Sequence, residues 1–269
     1  MLIIALLEPS FGNFDSYTRT KVSNRIVYFL VDVSKSMDAK DIAPSRLEKA
    51  KFEIKKIVNY FPNDRFGIIA FASDAVLHTA LTTDNENFKT MIQTLNTDFV
   101  SETGTNLEAA LKLSLEKINN SKFQNETSFT IIIYTDGEDF GDINEKTLND
   151  LKRKRINLIL AGIGTKKGTT IETKEGKPMK NKNDIIIKTK LESEYLKTIV
   201  TKANGKYFEY NNINSPFADI IDNIENQFGI EGQQSLDASN PGNKFHYPLL
   251  IAIFIICLDL LITVRIFNF

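Results

Sequence analysis

Val31-Asp32-Val33-Ser34-Lys35-Ser36-Met37 is the stretch whose reading decides the fold. The apolar run Ile26 to Val31 leads into it and reads as a buried parallel strand, rich in β-branched and aromatic residues. The strand ends in a loop that carries one carboxylate and two hydroxyls on alternate residues. An extended backbone would point Asp32, Ser34 and Ser36 the same way, and a loop lets them curl around one point. All three are oxygen donors of the kind that hard divalent cations such as Mg²⁺ take. Taken alone, the stretch also fits a plain turn whose side chains bond the local backbone. The rest of the chain decides between these readings.

The chain has 269 residues, 42% of them hydrophobic and 25% charged. That is enough for one domain with a full core plus an appendage. A net charge of −1 supplies no global field for nucleic acid or an anionic membrane. The single cysteine, Cys257, excludes an internal disulfide framework. With only two histidines, His78 and His246, a histidine-based metal or acid/base centre is disfavoured. His78 reads as a half-exposed strand residue.

Working outward from the loop, Ser45 and Glu48 have capping-box spacing before an apolar repeat at Leu47, Ala50, Ile54, Ile57, Val58 and Phe61. Arg65 to Phe71 reads as a second buried strand and Ala75 to Leu81 as a third, at an antiparallel edge. Thr82-Thr83-Asp84 caps a helix bearing Phe88, Met91, Ile92 and Leu95. The loop Asn96 to Thr105 precedes a helical stripe from Leu107 to Ile118. Phe129 to Tyr134 is a buried strand that runs into Thr135-Asp136-Gly137-Glu138-Asp139. A helix over Ile143 to Arg153 and a strand over Ile156 to Ile163 follow. Residues 166–190 are lysine-rich and turn-rich, and read as a solvated hairpin insertion. Their mixed charges and lack of stacking aromatics argue against a nucleic-acid patch. A helix over Leu191 to Ala203 closes at Asn204-Gly205, a strand covers Lys206 to Tyr210, and a last helix covers Ser215 to Phe228.

Strands alternating with helices predict an α/β fold, with a doubly wound, mostly parallel sheet flanked by helices. The expected domain spans residues 23–230, after an apolar and polar arm over 1–22. Residues 231–244 read as a polar linker, and 245–267 as a transmembrane helix. In such a sheet, ligands bind outside the carboxyl ends of the strands. Asp32 and Asp136 each follow a central strand, and Thr105 precedes a helix on the same rim. Three loops thus bring Asp32, Ser34, Ser36, Thr105 and Asp136 toward one point. Two acids balance a divalent charge and three hydroxyls add neutral donors, which fits Mg²⁺ or Mn²⁺ with a position left for an outside ligand.

No enzyme chemistry is read from the chain. A dehalogenase-type phosphatase would have a second acid where Ser34 stands, no P-loop is present, and the two histidines support no triad.

The joint pattern is similar to a known family. Asp32-Val33-Ser34-Lys35-Ser36-Met37, Asp41-Ile42-Ala43-Pro44-Ser45-Arg46-Leu47-Glu48, Asp64-Arg65-Phe66-Gly67, Leu81-Thr82-Thr83-Asp84, Gly104-Thr105-Asn106-Leu107 and Tyr134-Thr135-Asp136-Gly137-Glu138-Asp139 all resemble the bacterial Bat (Bacteroides aerotolerance) proteins. These carry a von Willebrand factor A (vWA) domain. The resemblance covers Arg25 to Tyr210 and includes the D-x-S-x-S pattern of a metal-ion-dependent adhesion site (MIDAS). It implies a Rossmann-like vWA fold with metal residues at Asp32, Ser34, Ser36, Thr105 and Asp136. It also implies a single-pass anchor in a bacterial cell membrane, with the domain on the extracytoplasmic side. The implied function is metal-dependent binding of a partner protein presenting Asp or Glu. Other Bat-type membrane proteins and a MoxR-type AAA+ ATPase are the implied associates. The alternative is a surface adhesin that binds a host matrix or receptor protein through the same site.

Overall fold

A computed structural model describes residues 25–236 apart from 99–103, 123–127, 139–140, 174–175, 182 and 212–214. The compact unit runs from Lys21 to Gly229. In chain order its elements are β1 (Arg25–Asp32), a 3-10 turn (Lys35–Asp38), α1 (Arg46–Tyr60), β2 (Arg65–Phe71), β3 (Ala75–Thr82), α2 (Asn85–Thr94), α3 (Leu107–Asn119) and β4 (Ser128–Thr135). There follow α4 (Glu145–Arg153), β5 (Asn157–Ile163), the short strands β6 (Thr169–Thr170) and β7 (Lys188–Thr189), α5 (Ser193–Ala203), β8 (Lys206–Tyr210) and α6 (Phe217–Leu236).

Six strands make one sheet in the order β3-β2-β1-β4-β5-β8. The edge strand β3 is antiparallel to β2, and the others run parallel. Strand residues alternate between the two faces. Val27, Phe29 and Val31 of β1 pack on one side with Leu47, Ile54, Phe88 and Ile220, which brings α1, α2 and α6 to that face. Ile26, Tyr28 and Leu30 pack on the other side with Leu107, Leu148 and Leu196, which brings α3, α4 and α5 there. Both faces of β1 are therefore covered, which is why its sequence reads as an unbroken apolar run.

This order places a switch point at the centre. From β1 the chain winds outward through β2 to β3, then returns to lay β4 against the opposite side of β1. Val31 pairs with Tyr134, so Asp32 and Thr135 end their strands side by side. The crevice between the loops after β1 and β4 is where a doubly wound sheet takes its ligands.

Helix starts follow the capping chemistry in the sequence. Ser45 Oγ accepts from the Glu48 N–H at 3.3 Å, and Asp84 Oδ1 accepts from the Asn87 N–H at 3.0 Å. The short helix α2 leans on its cap, because its polar face is solvent-exposed and only Phe88 and Ile92 are buried. Asp84→Ala is expected to cost about 1 kcal/mol, by loss of the cap and of the anion at the helix amino terminus. A urea midpoint that drops with an unchanged m-value would show it.

Two expectations need correction. The last helix does not stop at Phe228: α6 continues to Leu236, so residues 231–236 of the expected linker are helical. The insertion is not merely solvated. It is a pleated meander, with β6 and β7 antiparallel and bridges Glu172–Pro178 and Lys180–Ile186, and it buries Ile171 and Thr189. The expected close of α5 at Asn204-Gly205 is found, with Asn204 in the left-handed conformation at φ 58°. His78 lies on β3, half-buried, with its ring bonded to the Thr79 and Thr94 hydroxyls. Among the described residues no helix is long and apolar enough to cross a membrane. The expected span at 245–267 and the arm over 1–22 lie outside them.

Candidate metal centre

Asp32 is the last residue of β1 and is fully buried. Its Oδ1 accepts the Ser34 N–H at 2.9 Å and its Oδ2 accepts the Thr135 hydroxyl at 2.6 Å. The first bond curls the backbone back on itself, and the 3-10 turn starts at Lys35. The curl brings the Ser34 and Ser36 hydroxyls within 3.0 Å of each other. The loop is held to the next strand by the Val33 N–H, which donates to Phe71 O at 2.8 Å.

The same edge carries the third loop. Just past β2, Ala72 O accepts the Asn106 N–H, which pins the start of α3 beside the β1 loop. Thr105 precedes that contact and is only 7% exposed. Asp136 follows β4 and is fully buried. Its Oδ1 accepts the Glu138 N–H at 3.1 Å. Gly137 takes φ +85° there, and a Cβ on it would meet Leu196 at 2.8 Å, so only glycine fits the turn.

The electrostatics of this pair are unbalanced. Burial, and then the charge of Asp136, push the Asp32 carboxyl up to about 7, against the hydrogen bonds from Ser34 and Thr135 that hold it down. The donors that reach Asp32 are neutral. Two buried carboxylates close enough for the charge of one to act on the other, with a pair of close hydroxyls on the loop of the first, match what a hard divalent cation requires. Among the described residues no group of three or more His, Cys, Asp or Glu is placed to hold a metal ion.

The geometry also shows residues that the sequence reading passed over. Thr135 orients Asp32. Arg46, the first residue of α1, is fully buried and donates from Nη1 to Asp136 Oδ2 at 2.6 Å. Its other side is gripped by Asp41, with Nε to Oδ1 at 2.8 Å and Nη2 to Oδ2 at 2.9 Å. Burial works against both charges, and their pairing outweighs it: the Asp41 carboxyl is held low and Arg46 is held protonated. One signal was available. A helix amino terminus disfavours a cation, so an arginine in the first turn implies a strong partner elsewhere. On the rim, Glu138 is half-buried and accepts the Lys190 N–H at 2.7 Å, which ties its carboxylate to the end of the insertion. Asp139 lies outside the described residues.

Comparison with known proteins agrees with this fold. A profile of the von Willebrand factor type A domain matches residues 27–138. The BatB protein of Bacteroides thetaiotaomicron is 27% identical, with a TM-score of 0.70 over 75% of this chain and 97% of that one. An aerotolerance-related membrane protein of Bacteroides fragilis is 28% identical, with a TM-score of 0.69 over 75% of this chain and 98% of that one. Proximal thread matrix protein 1 of the mussel byssus, described with a zinc-occupied MIDAS motif, is 17% identical with a TM-score of 0.54 over 74% of this chain and 45% of that one, a likeness of fold. Among sequence relatives, a UPF0353 protein of Nocardia farcinica is 27% identical over 80% of this chain, and a Borreliella burgdorferi protein of uncharacterised function 24% identical over 65%. The chain spans 66% of the length of the first and 50% of the second. It carries a von Willebrand factor A domain, and its likeness to the two Bacteroides proteins runs through three quarters of the chain, 75% in each case.

Proposed function

We propose that the chain is a membrane-anchored, metal-dependent protein-binding module rather than an enzyme. Asp32, Ser34, Ser36, Thr105 and Asp136 would hold one Mg²⁺ or Mn²⁺. When bound, the ion supplies a positive charge that can take an outside carboxylate as a further ligand. The observation that carries this reading is the buried Asp32–Asp136 pair at the switch point, beside hydroxyls 3.0 Å apart.

The chain's own residues do the arranging. Thr135 and the Ser34 N–H fix both oxygens of Asp32. Thr105, next to the amino terminus of α3, sits where a partner's acidic side chain gains from the helix dipole. The zinc in the MIDAS of the mussel protein supports a metal at this place in the fold. The description of a Bacteroides relative as a membrane protein supports an anchor at 245–267. By the family resemblance, the partners are other Bat-type proteins and a MoxR-type ATPase, and the domain faces away from the cytoplasm. An open groove of about 720 Å³ flanks the rim, lined among others by Asp38, Lys40, Glu48, Asp98 and Glu172, and offers charged surface for further partner contacts.

The test uses the full chain in detergent micelles as bait for solubilised envelope proteins. A partner retained in Mg²⁺, released by EDTA, and absent with Asp32→Ala is the expected result. Retention that is equal in Mg²⁺ and EDTA would overturn the proposal, because recognition would then lie elsewhere on the domain.

A further inference from the structure

We propose that Arg46 is the positioning residue of this centre, and that through it ion occupancy at Asp136 is coupled to the neck of the 166–190 insertion. The inference rests on the metal-centre reading above and extends it to an element with no donor in the candidate set.

The arrangement around Arg46 is unusually complete. Burying a guanidinium costs several kcal/mol unless it is paired and its remaining donors are satisfied. Here Asp41 takes it in a two-point fork, and Asp136 Oδ2 takes Nη1. The same Nη1 reaches Thr189 Oγ1 at 2.7 Å, and Nη2 lies 3.5 Å from Thr189 O. The guanidinium lies flat on Gly164, whose φ is +145° and where a Cβ would come within 3.0 Å of Nε. Any side chain at 164 would displace it.

Both ends of the insertion meet this cluster. At the entry, Asp41 Oδ2 accepts the Thr165 N–H at 2.8 Å and the Thr165 hydroxyl at 2.9 Å. At the exit stands Thr189, only 1% exposed. The neck is closed by the Leu191 N–H donating to Thr165 O at 3.0 Å. The next residues bond the Asp136 loop itself: the Lys190 N–H donates to Glu138 Oε1 at 2.7 Å, and the Glu192 N–H to Asp136 O at 2.9 Å. A lysine-rich surface hairpin has no need of such a neck for its own stability. The neck fixes where the Asp136 carboxylate stands relative to Asp32.

The consequence is a linkage. A divalent charge at Asp136 weakens the pull of that carboxylate on Arg46 and changes the load that Thr189 shares. A partner that stiffens the insertion holds Asp136 in its ion-binding position. Coupling of this kind is reciprocal by thermodynamic necessity. Beyond the neck, Ile185 and Ile186 are exposed at 60% and 44%, which gives such a partner an apolar foothold.

The experiment measures amide hydrogen exchange and Mg²⁺ affinity on the full chain in micelles, for wild type, Thr189→Val and Arg46→Lys. In the wild type, saturating Mg²⁺ is expected to slow exchange across residues 186–192 by about fivefold or more, at the lower end of ordinary allosteric coupling. Thr189→Val removes the hydroxyl and keeps the shape, so the Mg²⁺-dependent part of that protection should vanish. A purely structural role would lower protection equally with and without the ion. Arg46→Lys keeps the charge but cannot span Asp41 and Asp136 together, and should weaken Mg²⁺ binding about tenfold, more than Thr189→Val does. Should Arg46→Lys fail to fold, Thr189→Val carries the test alone. Wild type that binds Mg²⁺ with no change in neck exchange would overturn the coupling and leave the metal centre standing. So would Thr189→Val with its full Mg²⁺-dependent protection. Wild type that binds no Mg²⁺ would overturn the proposed function, and this coupling with it.

Discussion

Asp32→Asn is expected to abolish Mg²⁺ binding and, at the same time, to make the metal-free protein more stable at pH 8. The two effects have one origin. Folding raises the Asp32 carboxyl from its ordinary 3.8 to about 7, first by burial and then by the Asp136 charge. The folded state therefore holds a proton over a range where the unfolded chain has lost it. The stability linked to that proton is fully present below pH 4 and fades as pH rises toward 7. Above 7 the domain carries a buried anion at a cost of about 4 kcal/mol at most. Asparagine removes that cost but leaves the Thr135 hydroxyl without its charged acceptor, so a net gain of about 1–2 kcal/mol is expected. Urea unfolding at pH 5 and pH 8, in EDTA and in Mg²⁺, reads both effects. Wild type should lose stability in EDTA between these values. It should regain stability from Mg²⁺ at pH 8, and much less at pH 5, where the proton competes with the ion. Asp32→Asn should be blind to Mg²⁺ at both. An Asp32→Asn protein less stable than wild type in EDTA at pH 8 would show that the buried acid is no burden, and the case for a cation would lose its physical basis.

The parts of this centre legible in the sequence share one property: each is set by local pattern. The unbroken apolar runs at Ile26 to Val31 and Phe129 to Tyr134 mark strands covered on both faces, and in a doubly wound sheet the residues after such strands face the ligand crevice. Asp32, Asp136 and the helix start after Thr105 therefore fall on one rim by pattern alone. Caps at Ser45 and Asp84 were legible for the same reason, since their bonds close within three residues. What was not legible depends on distant pairing. Arg46 finds Asp136 90 residues away and Thr189 143 residues away, and no window of sequence holds all three. The insertion read as solvated because its lysines dominate its composition, while its burial rests on a few residues such as Ile171 and Thr189. The continuation of α6 through 231–236 was hidden by polarity, which is not the same as lack of helix propensity. Glutamate and glutamine are good helix formers, and Gly232 is the one residue there that strongly opposes a helix.

Arg46→Met is expected to be among the most destabilising single changes in the domain, at about 3–5 kcal/mol in EDTA. Methionine fills much of the space along the arginine stem, so the loss is not mainly one of packing. It comes from the acids left behind. Asp136 stays fully buried with no guanidinium on Oδ2, and Asp41 loses both guanidinium donors from its two oxygens. If that account is right, neutralising the stranded acids should return stability although it removes still more charge. Arg46→Met combined with Asp41→Asn should therefore be less destabilised than the two single changes added together, because the residues touch and their effects cannot be independent. Saturating Mg²⁺ should stabilise Arg46→Met by less than it stabilises wild type, since Asp136 has lost the residue that positions it for the ion. Urea midpoints for the two singles and the double, each in EDTA and in Mg²⁺, separate these contributions. Additive effects, with stabilisation by Mg²⁺ as large as in wild type, would mean that Arg46 acts through packing alone and does not position Asp136 for the ion.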